Sequence, residues 1–223
     1  MDEERVMSEA TKERPILFSG PMVRAILEER KTQTRRIVKG KIALEWLNDA
    51  GMVPEFVAEP LNGLSPYGFP GDRLWVRETW MENHSGPEIN GHGRPLYRAS
   101  WGNAPEGQRW KPSIHMPRWA SRLTLEVLSV RIERLQDITN DDAMEEGIEV
   151  DIWDQAIVAR KYDEKDAWFQ VWTTDMENYA SYETIYRESF RTLWESINGA
   201  GSWDLNPWVW RIEFKKKGQE ALL

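Results

Sequence analysis

The chain has 223 residues and a formal net charge of −8, a size that suits one domain with a proper core. It has no cysteine, which excludes disulfides, thiolate metal sites and thiol catalysis, and no apolar run reaches membrane-spanning length. The acidic balance also argues against gripping long duplexes by phosphate neutralisation, so any nucleic-acid contact is confined to one groove or pocket.

Residues 1–13 are charged throughout and lack the apolar stretch of a signal peptide, so a disordered N-terminus on a soluble, cytoplasmic protein is expected. PILF (15–18) reads as a short strand. In SGPMVRAILEER, Ser19 or Gly20 can cap and Pro21 suits the first turn. Met22, Ile26 and Leu27 form an apolar stripe with Val23 beside it, which predicts a helix from Pro21 to about Arg30. TQTRRIV reads as a strand, and KIALEWLNDA (41–50) as a short helix. The residues that follow, up to Gly71, are rich in Gly and Pro and predict loop.

RLWVRETW (73–80), entered by the turn Gly71-Asp72, predicts a strand. Residues 83–117 predict loop with a short strand at LYRAS (96–100). RLTLEVLSVRIERL (122–135) alternates apolar and polar positions and is the longest strand signal. DITNDDAMEEGI (137–148) predicts a short helix, with Thr139 and Asp142 at capping-box spacing and Gly147 as its terminator. An acidic, aromatic stretch at about 151–181 has no clean period. Its many aromatics argue for order, and its acids repel long nucleic acid while suiting a lid or a surface for a protein partner. TIYRESFRTLWESI (184–197) is amphipathic and helical, PWVWRIEF is a final strand, and 216–223 are expected to be a disordered tail. Five or six strands without a regular train of helices predict an α+β fold, a small mixed β-barrel with peripheral helices.

Several chemical devices are missing. There is no Gly-rich phosphate loop and no GxGxxG. The three histidines (His84, His92, His115) have no metal-ligand spacing, and no nucleophile elbow is present. Most of the 13 tryptophans serve packing, with room for one or two to stack on a nucleobase. Basic charge concentrates around EERKTQTRRIV (28–38). Lys31 is ringed by Arg30, Arg35 and Arg36, and like charge with partial burial lowers a lysine's proton affinity toward that of a general base. Thr34 becomes a nucleophile only beside such a base. Residues three apart in an ideal strand face opposite ways, so Lys31 and Thr34 can cooperate only if the chain leaves the helix irregularly. A solvated basic surface is the competing reading.

In order along the chain, ILEERKTQTRRIV, PGDRLWVRETW, ITNDDAMEEGI and NPWVWRIEF resemble the ASCH domain proteins of the PUA-like superfamily, over roughly residues 15–214. PILFSGPMVRAIL, HMPRWASRLTLEV and LQDITNDDAMEEGI are together similar to the larger ASCH proteins common in phages and prophages. The resemblance implies a PUA-like β-barrel whose cleft faces a nucleobase or nucleotide. Some small members are amidohydrolases that deacylate N4-acetylcytidine with a Lys, Thr and Glu set; others are similar to RNA-binding proteins, and ribonuclease activity has been ascribed to some.

Carried over residue by residue, the K-x-x-T pair falls on Lys31 and Thr34, and the carboxylate on Glu146, with Glu145 as the alternative register. Arg35 and Arg36 would hold phosphate or an oxyanion, with Arg77 and Glu78 contributed by the neighbouring strand; an ordinary salt-bridged surface suits those four equally. The implied activity is hydrolysis of an N4-acylated cytidine or related modified nucleoside without metal or cofactor. A nucleotide- or single-stranded-RNA-binding module without turnover is the alternative. One departure stands out: the glycine usual two places before the lysine is Glu29 here.

Overall fold

The computed structural model describes residues 11–84, 88 and 91–218. The chain begins with β1 (Glu13–Leu17), α1 (Gly20–Leu27), β2 (Gln33–Ile37), α2 (Lys41–Asn48) and a one-turn α3 (Pro54–Val57). Next come β3 (Arg73–Arg77), β4 (Trp80–Asn83), β5 (Arg94–Tyr97), a one-turn α4 (Arg98–Trp101), β6 (Thr124–Arg134) and α5 (Asn140–Glu145). The last third holds β7 (Val150–Trp153), β8 (Ala156–Lys161), β9 (Ala167–Gln170), α6 (Ile185–Asn198) and β10 (Trp208–Lys216). Among the described residues, no helix is long and apolar enough to cross a membrane.

The architecture is mixed α+β. Five strands form the main sheet in the order β1-β3-β6-β10-β2. β1 lies parallel to β3, and the other pairings are antiparallel. The expected closed barrel is not formed among the described residues: β1 and β2 remain the two edges of the ladder. In place of a backbone ladder between them, Arg36 Nη2 donates to Leu17 O at 2.9 Å. A side chain thus spans the gap, and the space beside it stays open.

The sheet buries one face according to its period of two. Trp210, Ile212 and Phe214 of β10 join Leu74, Val76, Leu125 and Val127 in one core, under Val23 and Ile26 of α1 and Leu47 of α2. On the other side Leu135, Ile138, Ala143 and Ile148 pack with Phe190 and Trp194 of α6 and with Trp203 and Val209. Each fully buried large side chain contributes about 2 kcal/mol by removal from water, so these two clusters fix where β2, α5 and α6 meet.

Several expectations are revised. β1 starts at Glu13, inside the segment expected to be disordered, with the Lys12 N–H donating to Asp72 Oδ1 at 2.9 Å. β10 likewise runs to Lys216; residues 1–10 and 219–223 of the two expected disordered segments lie outside the described residues. The Gly- and Pro-rich stretch after α2 holds α3 and a 3-10 turn at Pro60–Asn62, both started by a proline. In LYRAS only Leu96 and Tyr97 are strand, because the segment from Arg98 turns into α4. The acidic stretch is a three-stranded meander, β7-β8-β9, whose Ala159, Phe169 and Val171 pack on Ile185 of α6. Its first hairpin turns on Asp154 and Gln155, both at positive φ (48° and 70°), a conformation that Asn-Gly or Asp-Gly usually signals. The sequence hides that turn behind a glutamine.

Candidate functional site

The helix end that precedes Lys31 turns in the left-handed conformation without a glycine. Glu29 takes φ 61°, the left-handed conformation a glycine adopts freely and another residue reaches at about 1 kcal/mol or more. Behind it, Ala25 O accepts from the N–H groups of both Arg30 (2.9 Å) and Lys31 (3.1 Å), which reverses the chain. Lys31 then bridges to Glu146 in antiparallel fashion, and the Thr32 N–H donates to Glu145 O at 2.9 Å. The end of α5 is therefore stitched to the segment entering β2. α5 itself starts on the predicted capping box, the Asp142 N–H donating to Thr139 Oγ1 at 3.1 Å, and ends at Gly147, at φ 81°. A Cβ at Gly147 would lie 2.7 Å from Lys31 Cβ and 2.9 Å from Ala25 Cβ, so glycine is what permits the two segments to touch.

Lys31 is buried, and its Nζ donates to Glu146 Oε2 and to Glu146 O, each at 2.7 Å. The carboxylate's second oxygen, Oε1, lies 3.2 Å from Arg35 Nη1. Burial pulls the Lys31 ammonium down to about 8; Glu146 resists this and Arg36 and Arg35 add to it. That is the lowered proton affinity expected from the charge cluster, but desolvation is the larger cause and like charge the smaller. Of the two registers considered for the acid, Glu146 meets the lysine. Glu145 turns instead to the Gln33 amide, Oε2 to Nε2 at 3.0 Å.

Strand alternation sorts the rest. Gln33 and Arg35 face α5. Arg35 Nη2 lies 2.7 Å from Glu133 Oε1 and 3.2 Å from Asp142 Oδ2, so three carboxylates hold this guanidinium. Across the ladder Arg35 pairs with Arg211, and the two cations share the same acids: Arg211 Nη2 is 2.8 Å from Asp142 Oδ1, and Nη1 is 3.9 Å from Glu133 Oε2. Burial raises the Asp142 pKa, but the Gln33 hydrogen bond, Arg35 and Arg211 outweigh it and hold the group below the usual carboxylate range.

Thr34 and Arg36 face the other way. Thr34 Oγ1, buried, accepts from Arg36 Nη1 at 2.6 Å. The Arg36 guanidinium lies over the Phe18 ring, 5.0 Å from its centroid, and Lys31 Nζ lies 5.7 Å from the same centroid. The Phe18 ring is thus the floor on which Lys31 and the Thr34–Arg36 pair converge from opposite sides of the strand.

Beside them lies a cavity of about 690 Å³, walled by Arg35, Arg36 and Trp210 from the sheet, Met22 from α1, Glu146, Tyr67, and Phe190 and Trp194 from α6. Its size lies within the roughly 300–1,000 Å³ of small-ligand pockets, and mostly apolar walls with a few polar groups are their usual composition. Glu146, Arg35 and Arg36 touch it; Lys31 and Thr34 stand one layer behind, reaching it through Glu146 and Arg36. Burial raises the Tyr67 pKa and lowers that of Arg36.

Two sequence candidates fall outside this site. Arg77 donates to Ile114 O and stacks on Trp75. Glu78 is buried in a two-point pair with Arg122, at 2.7 and 3.0 Å, and burial raises its pKa with Arg122 opposing. Neither lines the cavity, because β3 is separated from β2 by β6 and β10 in the sheet order. Sequence reasoning also missed Tyr67, Trp194 and Trp210 as walls, and Gln33, Glu133, Asp142 and Arg211 as the set that fixes Arg35. Among the described residues, no cluster of three or more His, Asp or Glu has the geometry to hold a metal ion. Compared with protein-family models, curated proteins and solved structures, the chain matches none.

Proposed function

We propose that this cavity hydrolyses an amide on a modified nucleoside, an N4-acylated cytidine or a close relative, in the manner of the ASCH amidohydrolases the sequence resembles. The observation that carries the reading is the buried Lys31–Glu146 pair, at 2.7 Å, with Lys31 pulled down to about 8 and Glu146 on the cavity wall. A buried lysine perturbed toward neutral pH beside a wall carboxylate is a common sign of a catalytic site.

In this mechanism the base ring lies among Tyr67, Trp194 and Trp210. Water adds its oxygen to the acyl carbon, and its proton passes to Glu146 and on to the neutral Lys31 amine. Arg35, whose Nη1 lies 3.2 Å from Glu146 Oε1 on the same wall, faces the negative charge that develops on the carbonyl oxygen. The C–N bond then breaks, and the proton returns through Glu146 to the departing N4. Glu146 is the proton shuttle, Lys31 the base acting through it, and Thr34 a positioning residue for Arg36. The nucleophile role expected of Thr34 has no support here, since its hydroxyl is buried and does not line the cavity.

The test is pure protein with N4-acetylcytidine, followed by ultraviolet absorbance. Turnover is expected, lost in Glu146→Gln and in Lys31→Met, with kcat/KM rising to a plateau through the Lys31 pKa near 8. Full turnover in Lys31→Met refutes the assignment. The complete burial of the Lys31 side chain favours one other reading, a pocket that binds a nucleobase without chemistry. Ligand binding without turnover in the unmodified protein would select it.

A further inference from the structure

The charges on the cavity wall do not cancel. Glu146 is matched by Lys31, at 2.7 Å, and Arg35 by Glu133, also at 2.7 Å. Among the described residues Arg36 has no carboxylate within ion-pair distance, and its acceptors are neutral oxygens, Thr34 Oγ1, Arg35 O and Leu17 O. A guanidinium has five N–H groups, so its Nε–H and one N–H on Nη2 have no acceptor among the described residues. The Glu146 carboxylate steadies it only from beyond ion-pair distance, and a partly buried cation without a direct ion-pair partner is costly unless something anionic meets it.

Three residues further on, Lys39 lines the same cavity and is exposed, again without an acidic partner among the described residues. Gly40, also on the lining, is the N-cap of α2 and has no side chain to cap it. The first-turn N–H groups of that eight-residue helix therefore sit uncapped at the rim. The opposite wall is aromatic, with Tyr67, Trp194 and Trp210. Trp194 Nε1 is buried and has no hydrogen-bond partner.

We propose that the cavity takes a free nucleoside monophosphate, its phosphate between Arg36, Lys39 and the start of α2 and its base against the aromatic wall. Planar guanidinium and uncapped helix N–H groups both suit a phosphate dianion. Arg35, the other expected phosphate ligand, is already neutralised and contributes none. A single nucleotide is favoured over RNA because the chain is acidic overall, with net charge −8, whereas RNA binding needs a track of cations. This inference rests on the nucleoside reading of the cavity, which it narrows to the phosphorylated form.

The experiment is calorimetric titration of the full chain with cytidine 5′-monophosphate, cytidine, inorganic phosphate and a short oligocytidine, alongside turnover of acetylated cytidine and its monophosphate. The monophosphate should bind roughly tenfold or more tighter than cytidine, as expected for one charged phosphate contact set. The advantage should shrink in Lys39→Gln and vanish in Arg36→Met. Lys39 is exposed, so its variant keeps the test alive if Arg36→Met fails to fold. Equal binding of cytidine and its monophosphate, no binding of either, or tighter binding of the oligonucleotide each overturn the proposal. Monophosphate preference without turnover removes the hydrolase and leaves the phosphate site; turnover without phosphate preference does the reverse.

Discussion

The buried Lys31–Glu146 pair makes a thermodynamic prediction that needs no substrate. The Lys31 pKa falls from the usual 10.5 to about 8 on folding. Below the folded value both states carry the proton, and the folded state bears the full cost of a buried cation, roughly 3 kcal/mol at about 1.4 kcal/mol per pKa unit. Between the two values the folded state has released its proton while the unfolded chain still holds it. The unfolded state then binds more protons, so stability rises with pH. Working the two-state proton balance from about pH 7 to about pH 9.5 gives a gain of roughly 2 kcal/mol from this one group.

Other groups titrate in that range, so the comparison is with a double variant, Lys31→Met with Glu146→Gln. It removes both charges without leaving either buried alone, the step that would itself cost about 3–5 kcal/mol. Urea unfolding followed by tryptophan fluorescence at several pH values is the assay. The unaltered protein should gain on the double variant by about 2 kcal/mol across the window. Parallel stability curves would refute both the burial argument and the lowered pKa on which the proposed base depends.

Gly147→Ala tests the contact that brings α5 to Lys31. The left-handed φ costs about 1–2 kcal/mol, and the new methyl would meet the Cβ atoms of Lys31 and Ala25 below 3 Å, so thermal melts should show a loss of about 2–4 kcal/mol, and the pH limb of activity should move with Lys31. Glu78→Gln should destabilise the protein by about 2–4 kcal/mol by leaving Arg122 without its two-point carboxylate partner, yet leave KM unchanged; a raised KM would return Glu78 to the site.

The local features were legible in the sequence. Pro21 and the apolar stripe marked α1, alternation marked β6 and β10, and the Thr139–Asp142 spacing marked the start of α5, because each is a matter of neighbours along one chain. Lys31 stood out through its crowded cations, and the resemblance named its acid partner. Not legible were the meander, whose turn residues Asp154 and Gln155 carry no glycine, and the burial that dominates the Lys31 pKa. The neutralisation of Arg35 was equally hidden, since its partners Glu133 and Asp142 lie about a hundred residues downstream.

The chain on its own thus determined which segments are helix or strand and where basic charge gathers. Tertiary structure alone decided which cation lacks an ion-pair partner among the described residues. Arg35 and Arg36 are adjacent, chemically alike and both on the cavity wall, yet the pleat sets one among the acids of β6 and α5 and lays the other over Phe18. Counter-charge depends on what lies across the fold, and no local pattern encodes that distance.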